Sequence, residues 1–397
     1  MHPGAFRSHL LGLFCLLAVS LSACSALSGQ EPSLAPPPNA APVLQNDPAS
    51  ANPTLDPSTP APTITTDLSM QGTNTSEALP ASTPTPSPTP MPGLIQLTNN
   101  GCCVEPFWSP DGTHVLFLDR PSPDSPVGLW GVGLQGGAPT LYTDRLGLYS
   151  PDMSLLAYPQ DGRTVVERLS DGQRWTIPNQ GGAISFSPDG TLVAWTAGDP
   201  GPPFDTPVRQ VWISQHDGTQ PRQVAQVIGG GFSGWFPDGR VLVSGKVDAN
   251  EPLPGLWAVS VQDGGYTQLA SGERLRGITL SPGGSWLTYQ KVFDPSPGMN
   301  GIWMVNTKNG ETRRLELFGG YRWQDDQHLL LIPLDTSQAD HRLLQVDAAT
   351  GAAHPLTDPA VLPFKVANGD WSVSPDGEKI VFVSALDRNI WLIDLEP

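Results

Sequence analysis

Basic residues are scarce in this chain, which has 21 Lys and Arg against 38 Asp and Glu and a formal net charge of −17 over 397 residues. Residues 94–397 alone hold 20 basic and 33 acidic side chains, a net charge of −13, and no run of basic residues interrupts them. That balance argues against nucleic acid or an anionic lipid surface as a partner. We interpret the acidity as a contribution to solubility.

Several catalytic and metal-binding patterns are also missing from the sequence. There is no Gly-x-Ser-x-Gly elbow, the turn that presents the nucleophile of α/β-hydrolases. The five His residues beyond the N-terminal leader are scattered, with no His-x-His or His-x-x-x-His spacing. We therefore predict no zinc site, no cofactor and no catalytic residue set.

A short phrase that occurs seven times in residues 94–397 is the most informative feature. A large apolar residue is followed by Ser-Pro-Asp-Gly or a variant of it, in which Ser opens a tight turn, Pro fixes φ and Gly closes the turn. The second residues of successive copies lie 41, 37, 49, 45, 43 and 50 residues apart. The copies are Trp108–Gly112, Tyr149–Met153, Phe186–Gly190, Trp235–Gly239, Leu280–Gly284, Trp323–Gln327 and Val373–Gly377.

Each copy begins a unit of short strands rich in branched and aromatic residues, with a polar Gly hairpin between the last two. Four strands with a period of about 40–45 residues indicate one propeller blade per copy. The seventh unit lacks its outer strand, whereas Leu94–Thr98 is a strand without a unit, so we expect the two to pair and close the ring. The predicted fold is all-β, a seven-bladed β-propeller. Six or eight blades remain alternatives because the sixth copy is degenerate.

The repeats resemble those of bacterial WD40-like propellers of the TolB type. Leu97-Thr98, Pro106 and Trp108–Gly112 match that family's pattern of leucine-threonine followed by proline-x-tryptophan-serine-proline-aspartate-glycine. The resemblance covers the whole folded part and implies a propeller, but propellers host many unrelated functions. TolB proteins have six blades and an N-terminal α/β domain, and here a Pro-rich segment takes the place of that domain.

The N-terminal residues have the pattern of a secretion signal. Arg7 is followed by the apolar run Leu10–Leu21, which is too short to be a confident membrane span. The run ends in Leu21-Ser22-Ala23-Cys24, which resembles a bacterial lipobox and implies cleavage before Cys24 and lipid on its sulfur and new amino group. The alternative is an ordinary signal peptide with a chance Cys.

A linker composition follows the leader. Residues 25–93 hold 16 Pro and 19 Ser or Thr, with no aromatic or basic residue, and such a segment cannot bury a core. We therefore predict a signal peptide at 1–23, a disordered tether at 24–93 and a β-propeller at 94–397. The resemblance of the leader implies a secreted protein that is lipid-anchored to a bacterial membrane and faces the periplasm or the cell exterior.

Two adjacent thiols, Cys102 and Cys103, lie just before the first repeated turn. In an oxidising compartment nearby thiols usually form disulfides. A vicinal disulfide, two reduced thiols and an intermolecular link are all compatible with the sequence. Intact-mass analysis before and after reduction distinguishes them.

Topology places the candidate binding face. In an up-and-down blade the repeated turns and the Gly hairpins share one face of the disc, so the longer loops share the other, where propellers usually place recognition. Near the channel mouth on that face we place four charged residues, and we expect three loop aromatics to be partner anchors; ordinary loop variation is the alternative. These residues are Glu105, Arg276, Arg322 and Asp370, with Phe204, Phe293 and Phe364.

We assign structural roles, and not ligand binding, to two residue types that recur in the repeats. We interpret the Asp of each turn as a cap and not as a calcium ligand. A Trp that recurs at one strand position, at Trp130, Trp212, Trp257, Trp303 and Trp391, is interpreted as packing between blades and not as a platform for ligands.

The function predicted from these observations is a non-enzymatic binding or scaffold module, monomeric, for a protein, peptide or glycan of the cell envelope. One alternative is a propeller enzyme of the lyase, lactonase or cyclase type that uses the central channel. A second alternative is a structural lipoprotein of envelope assembly.

Overall fold

Short strands fill the chain from Gly93 onward, because the branched and aromatic runs after each repeated turn favour extended backbone. The computed structural model describes residues 93–99, 101, 104–122, 124–199, 201, 203 and 205–395, which belong to one compact unit. Within those ranges the regular structure is all-β except for a 3-10 turn at Pro297–Met299. The same ranges contain no helix with the length and hydropathy needed to cross a bilayer.

The strands are numbered in chain order. The first nine are β1 (Gly93–Gln96), β2 (Phe107–Trp108), β3 (His114–Asp119), β4 (Gly128–Gly133), β5 (Thr140–Thr143), β6 (Leu148–Tyr149), β7 (Leu155–Gln160), β8 (Arg163–Arg168) and β9 (Arg174–Ile177). The next nine are β10 (Ser185–Phe186), β11 (Leu192–Ala197), β12 (Val208–Gln215), β13 (Arg222–Trp235), β14 (Val241–Lys246), β15 (Gly255–Val259), β16 (Tyr266–Ser271), β17 (Leu275–Leu280) and β18 (Trp286–Lys291). The last nine are β19 (Gly301–Asn306), β20 (Thr312–Leu315), β21 (Gly319–Trp323), β22 (His328–Pro333), β23 (Leu344–Asp347), β24 (Ala353–Pro355), β25 (Val366–Val373), β26 (Lys379–Ser384) and β27 (Ile390–Asp394).

The described strands form antiparallel sheets in a β-propeller arrangement. Five sheets have four strands each: β2 to β5, β6 to β9, β17 to β20, β21 to β24, and β25 to β27 with β1. The sixth sheet has seven strands, β10 to β16, and its long strand β13 pairs with β12 through its first half and with β14 through its second. The all-β propeller is therefore confirmed, while the count of seven blades stays a prediction.

The predicted ring closure is confirmed. Strand β1 pairs antiparallel with β27, with Leu94 opposite Ile393 and Ile95 opposite Leu392. Just beyond β1, the Thr98 hydroxyl accepts a hydrogen bond from the Ile390 N–H at 2.8 Å. The N-terminal strand thus becomes the outer strand of the last sheet, and neither edge is left open.

The core lies between neighbouring sheets. For example, Trp108 and Val115 of one sheet pack with Val381 and Leu392 of the sheet beside it. All five recurring Trp residues take part in apolar clusters, four of them between neighbouring sheets and that of Trp257 within the seven-stranded sheet, which confirms their interpretation as packing residues. Their indole N–H groups are also used: Trp257 donates to the Gly245 carbonyl at 2.9 Å, which holds the loop that precedes its strand.

The repeated turns are self-contained hydrogen-bonded caps. In the first copy Ser109 Oγ donates to Asp111 Oδ1 at 2.6 Å, and that carboxylate oxygen accepts the Thr113 N–H at 3.1 Å. Ser109 Oγ in turn accepts the His114 N–H at 3.0 Å. These bonds confirm the structural interpretation of the turn Asp, and the same three bonds recur in the copies that contain Asp152, Asp189 and Asp376.

The fifth turn obtains its cap from the next repeat. Gly283 stands where the other copies have Asp, and Asp326 of the degenerate sixth copy fills the space. Its Oδ1 accepts the Gly283 N–H at 2.9 Å and the Ser281 hydroxyl. A Cβ on Gly283 would lie 2.7 Å from the Asp326 carboxyl, so the missing side chain and the extra carboxylate belong together. The degeneracy of the sixth copy therefore has a structural reason.

Candidate functional site

Three of the four charged residues predicted at the channel mouth lie on neighbouring inner strands. Glu105 directly precedes the short strand β2, Arg322 is in β21, and Asp370 is in β25. Strand β25 contacts both β2 and β21. The repeated turns are at the C-terminal ends of these strands, so Glu105 and Asp370 lie toward the opposite face, as the topology predicted.

The carboxyl groups of Glu105 and Asp370 influence each other electrostatically. The Glu105 N–H donates a hydrogen bond to the Asp370 carboxylate. Burial, followed by the nearby charge of Asp370, raises the pKa of Glu105 above its usual range. Burial also raises the pKa of Asp370, although the positive charges of Arg388 and Arg322 oppose that increase. Two neighbouring carboxyl groups with different surroundings are a usual arrangement for a proton donor and a proton acceptor.

Arg322 on β21 is held by contacts with its neighbours. Its Nη1 donates to the Tyr321 carbonyl at 2.8 Å, its Nη2 lies 3.5 Å from the Gly369 carbonyl, and its guanidinium stacks over the Trp371 ring at 5.1 Å. Burial lowers its pKa, whereas the charge of Asp370 counteracts that effect. A guanidinium remains charged in proteins, so Arg322 holds a fixed positive charge that acts on Asp370.

Arg276, the fourth predicted residue, is exposed on β17, one residue from a tight contact between strands. The Tyr321 hydroxyl donates to the Gly277 carbonyl at 2.5 Å. Gly277 has a φ of +60°, and a Cβ there would lie 2.7 Å from that hydroxyl, so only glycine permits the contact. The structure thus places Arg276 beside the mouth, but it shows no direct contact with the other three residues.

The backbone at the mouth is strained. Glu105, Asn368 and Arg388 have φ values of +49°, +54° and +62°, a conformation that non-glycine residues rarely adopt. Each such residue costs on the order of 1 kcal/mol or more, and such positions cluster at functional sites. Arg388 was not among the predicted site residues. The signal that could have found it is its place in the loop between β26 and β27, which opens on the same face.

Two of the three predicted aromatic anchors, Phe293 and Phe364, lie among the described residues, and they differ in exposure. Phe293 is 80% exposed on its loop, with the Arg274 guanidinium 6.0 Å from its ring centroid, so it is available to a partner. Phe364 is only 1% exposed, because it packs against Phe382 with centroids 5.4 Å apart and belongs to the core. The prediction of Phe364 as an exposed anchor is therefore corrected.

Other predicted residues lie outside the described ranges. These are Cys24, Cys102, Cys103 and Phe204. The lipid site, the state of the two thiols and the third aromatic anchor therefore stay predictions.

The donor set of the described residues does not fit a metal centre built from protein ligands. No group of three or more His, Cys, Asp or Glu in those ranges is arranged to hold a metal ion. Glu105 and Asp370 form a pair that is accompanied by cations and not by further anionic ligands. The chemistry of the mouth is therefore described through its own carboxyl and guanidinium groups.

Comparison with solved structures supports the propeller fold. An oligogalacturonate lyase in complex with manganese is similar over 78% of this chain and 99% of that chain, with 16% identity and a TM-score of 0.53. An oligogalacturonate lyase from Vibrio parahaemolyticus is similar over 76% of this chain and 91% of that chain, with 14% identity and a TM-score of 0.51. At these identities the likeness shows the fold.

A TolB protein from Acinetobacter baumannii is also among the similar structures, with 17% identity over 58% of this chain and 59% of that chain and a TM-score of 0.36. The described strands have the β-propeller arrangement that the resemblance of the repeats to TolB implied. No protein-family model and no curated protein matches the sequence.

These findings correct the main functional prediction. We expected a non-enzymatic binding or scaffold module and no enzyme, but two similar solved structures with TM-scores above 0.5 are oligogalacturonate lyases. The comparison favours the alternative, a propeller enzyme of the lyase type that uses the central channel. The sequence misled because the mouth residues come from different repeats and form no local motif.

Proposed function

We propose that the chain is an enzyme of the lyase type that cleaves an acidic oligosaccharide by elimination at the mouth formed by Glu105, Arg322 and Asp370. The observation that carries the proposal is the placement of Glu105 and Asp370 on neighbouring inner strands, where their pKa values are raised and the stacked guanidinium of Arg322 acts on Asp370. The likeness to oligogalacturonate lyases supports the reaction class, and oligogalacturonate is the first substrate to test.

Elimination from a uronate chain needs three groups, and the mouth offers one for each. A base removes the proton on the carbon next to the carboxylate, and the released electron pair forms the double bond as the C–O bond to the neighbouring sugar breaks. An acid then protonates the departing oxygen. A cation paired with the substrate carboxylate makes that carbon more acidic, because it stabilises the negative charge that develops.

The environments of the carboxyl groups suggest their roles. Asp370 has two cations and the Glu105 N–H near its carboxylate, which favour its ionised form, so we assign it as the base. Burial and the charge of Asp370 both disfavour ionisation of Glu105, so we assign Glu105 as the acid. Arg322 pairs with the substrate carboxylate, for which its planar guanidinium is suited. The exposed Arg276 and Arg388 would contact uronates farther along the chain.

The test is an assay of the full chain with oligogalacturonate, in which the new conjugated double bond is followed by absorbance and the products by mass spectrometry. We expect Glu105→Gln and Arg322→Gln each to reduce the rate by about 100-fold or more. The matched controls are Glu378→Gln beside the last repeated turn and Arg313→Gln on the outer strand β20, both of which should keep the wild-type rate. No double bond with the wild-type chain, or equal losses in the controls, would reject the proposal.

We further propose that the propeller has seven blades. Strand β13 then serves as the outer strand of one blade and the inner strand of the next, which divides the seven-stranded sheet into two units of four. Among the described residues, apolar clusters lie between successive units all around the ring, which supports that division.

The N-terminal assignments complete the proposal. A lipid on Cys24 and a tether at residues 24–93 would hold the enzyme at a bacterial membrane, outside the cytoplasm. Mass spectrometry of the mature N-terminal peptide tests this directly, because it gives the mass of a diacylated or triacylated Cys24 or of an unmodified one.

A further inference from the structure

A buried carboxylate away from the channel mouth organises two arginines. Glu167 on β8 is 4% exposed, and four donors surround its oxygens. Arg145 donates through Nη1 at 2.6 Å and Nη2 at 2.7 Å, Arg174 through Nε at 2.7 Å, and the Tyr158 hydroxyl at 2.9 Å. The hydrogen bonds from Arg145 outweigh the effect of burial and lower the pKa of Glu167 to about 2, so it is ionised at any ordinary pH.

The cluster of Glu167, Arg145 and Arg174 carries a net positive charge, and not all of its guanidinium N–H groups are used on Glu167. Two guanidinium groups accompany one carboxylate, and all four bonds to Glu167 are already made. Arg145 uses both of its Nη atoms on Glu167, whereas Arg174 uses only Nε. Among the described residues no hydrogen bond from the Arg174 Nη atoms is found, and this side chain is 56% exposed. Arg174 therefore presents the outer edge of its guanidinium to solvent.

A cavity of about 310 Å³ opens beside these groups. It is lined by Arg145, Leu146, Leu156, Tyr158, Gln160 and Arg174. Leu156 is buried and Leu146 is half-exposed, so the cavity has an apolar part next to its cationic part. The Arg145 guanidinium lies 5.6 Å from the Tyr158 ring centroid, which fixes both side chains. The cavity is a shallow depression that is largely open to solvent, and its volume, at the lower end of the range of about 300–1,000 Å³ for small-molecule pockets, leaves room for one sugar ring.

We propose that this cavity is a second ligand site, separate from the mouth, which binds a small monocarboxylate with a ring or apolar face, such as a hexuronic acid. The planar edge of Arg174 matches a carboxylate in two parallel hydrogen bonds. The single net positive charge suits one negative charge, whereas a dianion such as phosphate would meet the fixed charge of Glu167. Leu146 and Leu156 would contact the carbon face of the ring. The assignment does not depend on the proposed elimination.

The test is calorimetric titration of the full chain with D-galacturonate, with neutral D-galactose as the ligand control. We expect binding of the acid and not of the neutral sugar. Arg174→Gln leaves the Arg145–Glu167 pair in place and should weaken binding by about tenfold or more, the value of a lost charge-assisted pair. Arg168→Gln is the matched control, because Arg168 lies on β8 in a surface pair with Asp171 at 3.1 Å and does not line the cavity, so binding should be unchanged.

Two further variants separate the alternatives. Leu146→Glu adds a negative charge to the cavity wall without touching the Glu167 cluster, and should abolish binding in a chain that still melts as the wild type does. Asp370→Asn alters the mouth and should leave this binding intact, even if the chain proves to have no lyase activity. No binding to the wild type, full binding to Arg174→Gln and Leu146→Glu, or loss of binding only in Asp370→Asn would each overturn the proposal.

Discussion

Two aspartates six residues apart show how the two faces of the propeller differ. Asp376, in the last repeated turn, is exposed, and hydrogen bonds from Ser374 and the Glu378 N–H outweigh its partial desolvation and lower its pKa. Asp370, on β25 near the mouth, has its pKa raised by burial despite two nearby cations. In the turn, hydrogen bonds favour the ionised form of Asp376, whereas at the mouth burial disfavours the ionised form of Asp370. A carboxyl group of the first kind stabilises the fold, and one of the second kind is suited to proton transfer.

The two faces of the propeller also differ in the substitutions that they tolerate. The fifth turn lacks an Asp of its own, and Asp326 from the next repeat takes its place. The turn therefore needs a carboxylate cap, but that carboxylate can come from another repeat. At the mouth, Glu105 and Asp370 come from different sheets and no repeat copies them. Variants of the turn face should therefore change stability, and variants of the mouth should change activity.

The largest expected effect on stability is that of Asp326→Ala. It removes the acceptor for the Gly283 N–H and the Ser281 hydroxyl, and we expect a loss of about 2–3 kcal/mol in the free energy of unfolding measured with urea. Glu316→Ala, at a residue with an 83% exposed side chain, is the control and should cost under about 0.5 kcal/mol.

The double variant Gly283→Asp with Asp326→Gly should recover most of that loss, because it returns the cap to its own turn. Gly283→Asp alone should lower the free energy of unfolding, because the new Cβ would lie 2.7 Å from the Asp326 carboxyl group. Additive effects in this cycle would contradict the exchange of one carboxylate between the two repeats.

A smaller effect, about 1–2 kcal/mol, is expected for Asp376→Asn at neutral pH. Because the pKa of Asp376 is lowered in the folded chain, its ionised form is the stabilising one. That stability is fully present above the unfolded pKa of about 4 and is lost as the pH falls through the folded pKa. Urea unfolding of both chains from neutral to acid pH should show the difference shrinking toward zero, and a constant difference would contradict the cap.

The smallest effect, with the opposite sign, is expected for Glu105→Gln. Because the pKa of Glu105 is raised in the folded chain, the wild type loses stability as the pH rises from the unfolded pKa through the folded one. The variant should therefore be more stable than the wild type at neutral pH, by less than about 1 kcal/mol because Glu105 is partly exposed to solvent. A variant less stable than the wild type at neutral pH would show that the Glu105 carboxylate supports the fold.

The repeated turns explain which parts of the molecule could be predicted. Each turn carries a local signal, so the strands, the caps and the pairing of β1 with β27 follow from the sequence. Glu105 and Asp370 hold equivalent places, three residues before the first residue of a repeated turn, so the topology suggested that they lie on the same face; Arg322, one residue before its turn, does not share that place. Phe364 was misplaced because one aromatic in a long segment gives no periodic sign of burial.

Other features depend on contacts that no local pattern reveals. Asp326 and Gly283 are 43 residues apart, and Glu167 meets Arg145 from 22 residues away. The Glu167 cluster therefore had no motif that could identify it in advance. The proposed enzymatic role likewise has no local sequence motif, since the charged residues of the mouth come from separate repeats.

The measurement that tests this account most directly compares Asp370→Asn with Asp376→Asn in the oligogalacturonate assay, below the melting temperature of both variants. The two changes are chemically identical and lie six residues apart. The account predicts that Asp370→Asn loses about 100-fold or more of the rate of double-bond formation, while Asp376→Asn keeps the wild-type rate and only melts earlier. Equal rates in the two variants, or a wild-type chain that forms no double bond, would contradict it.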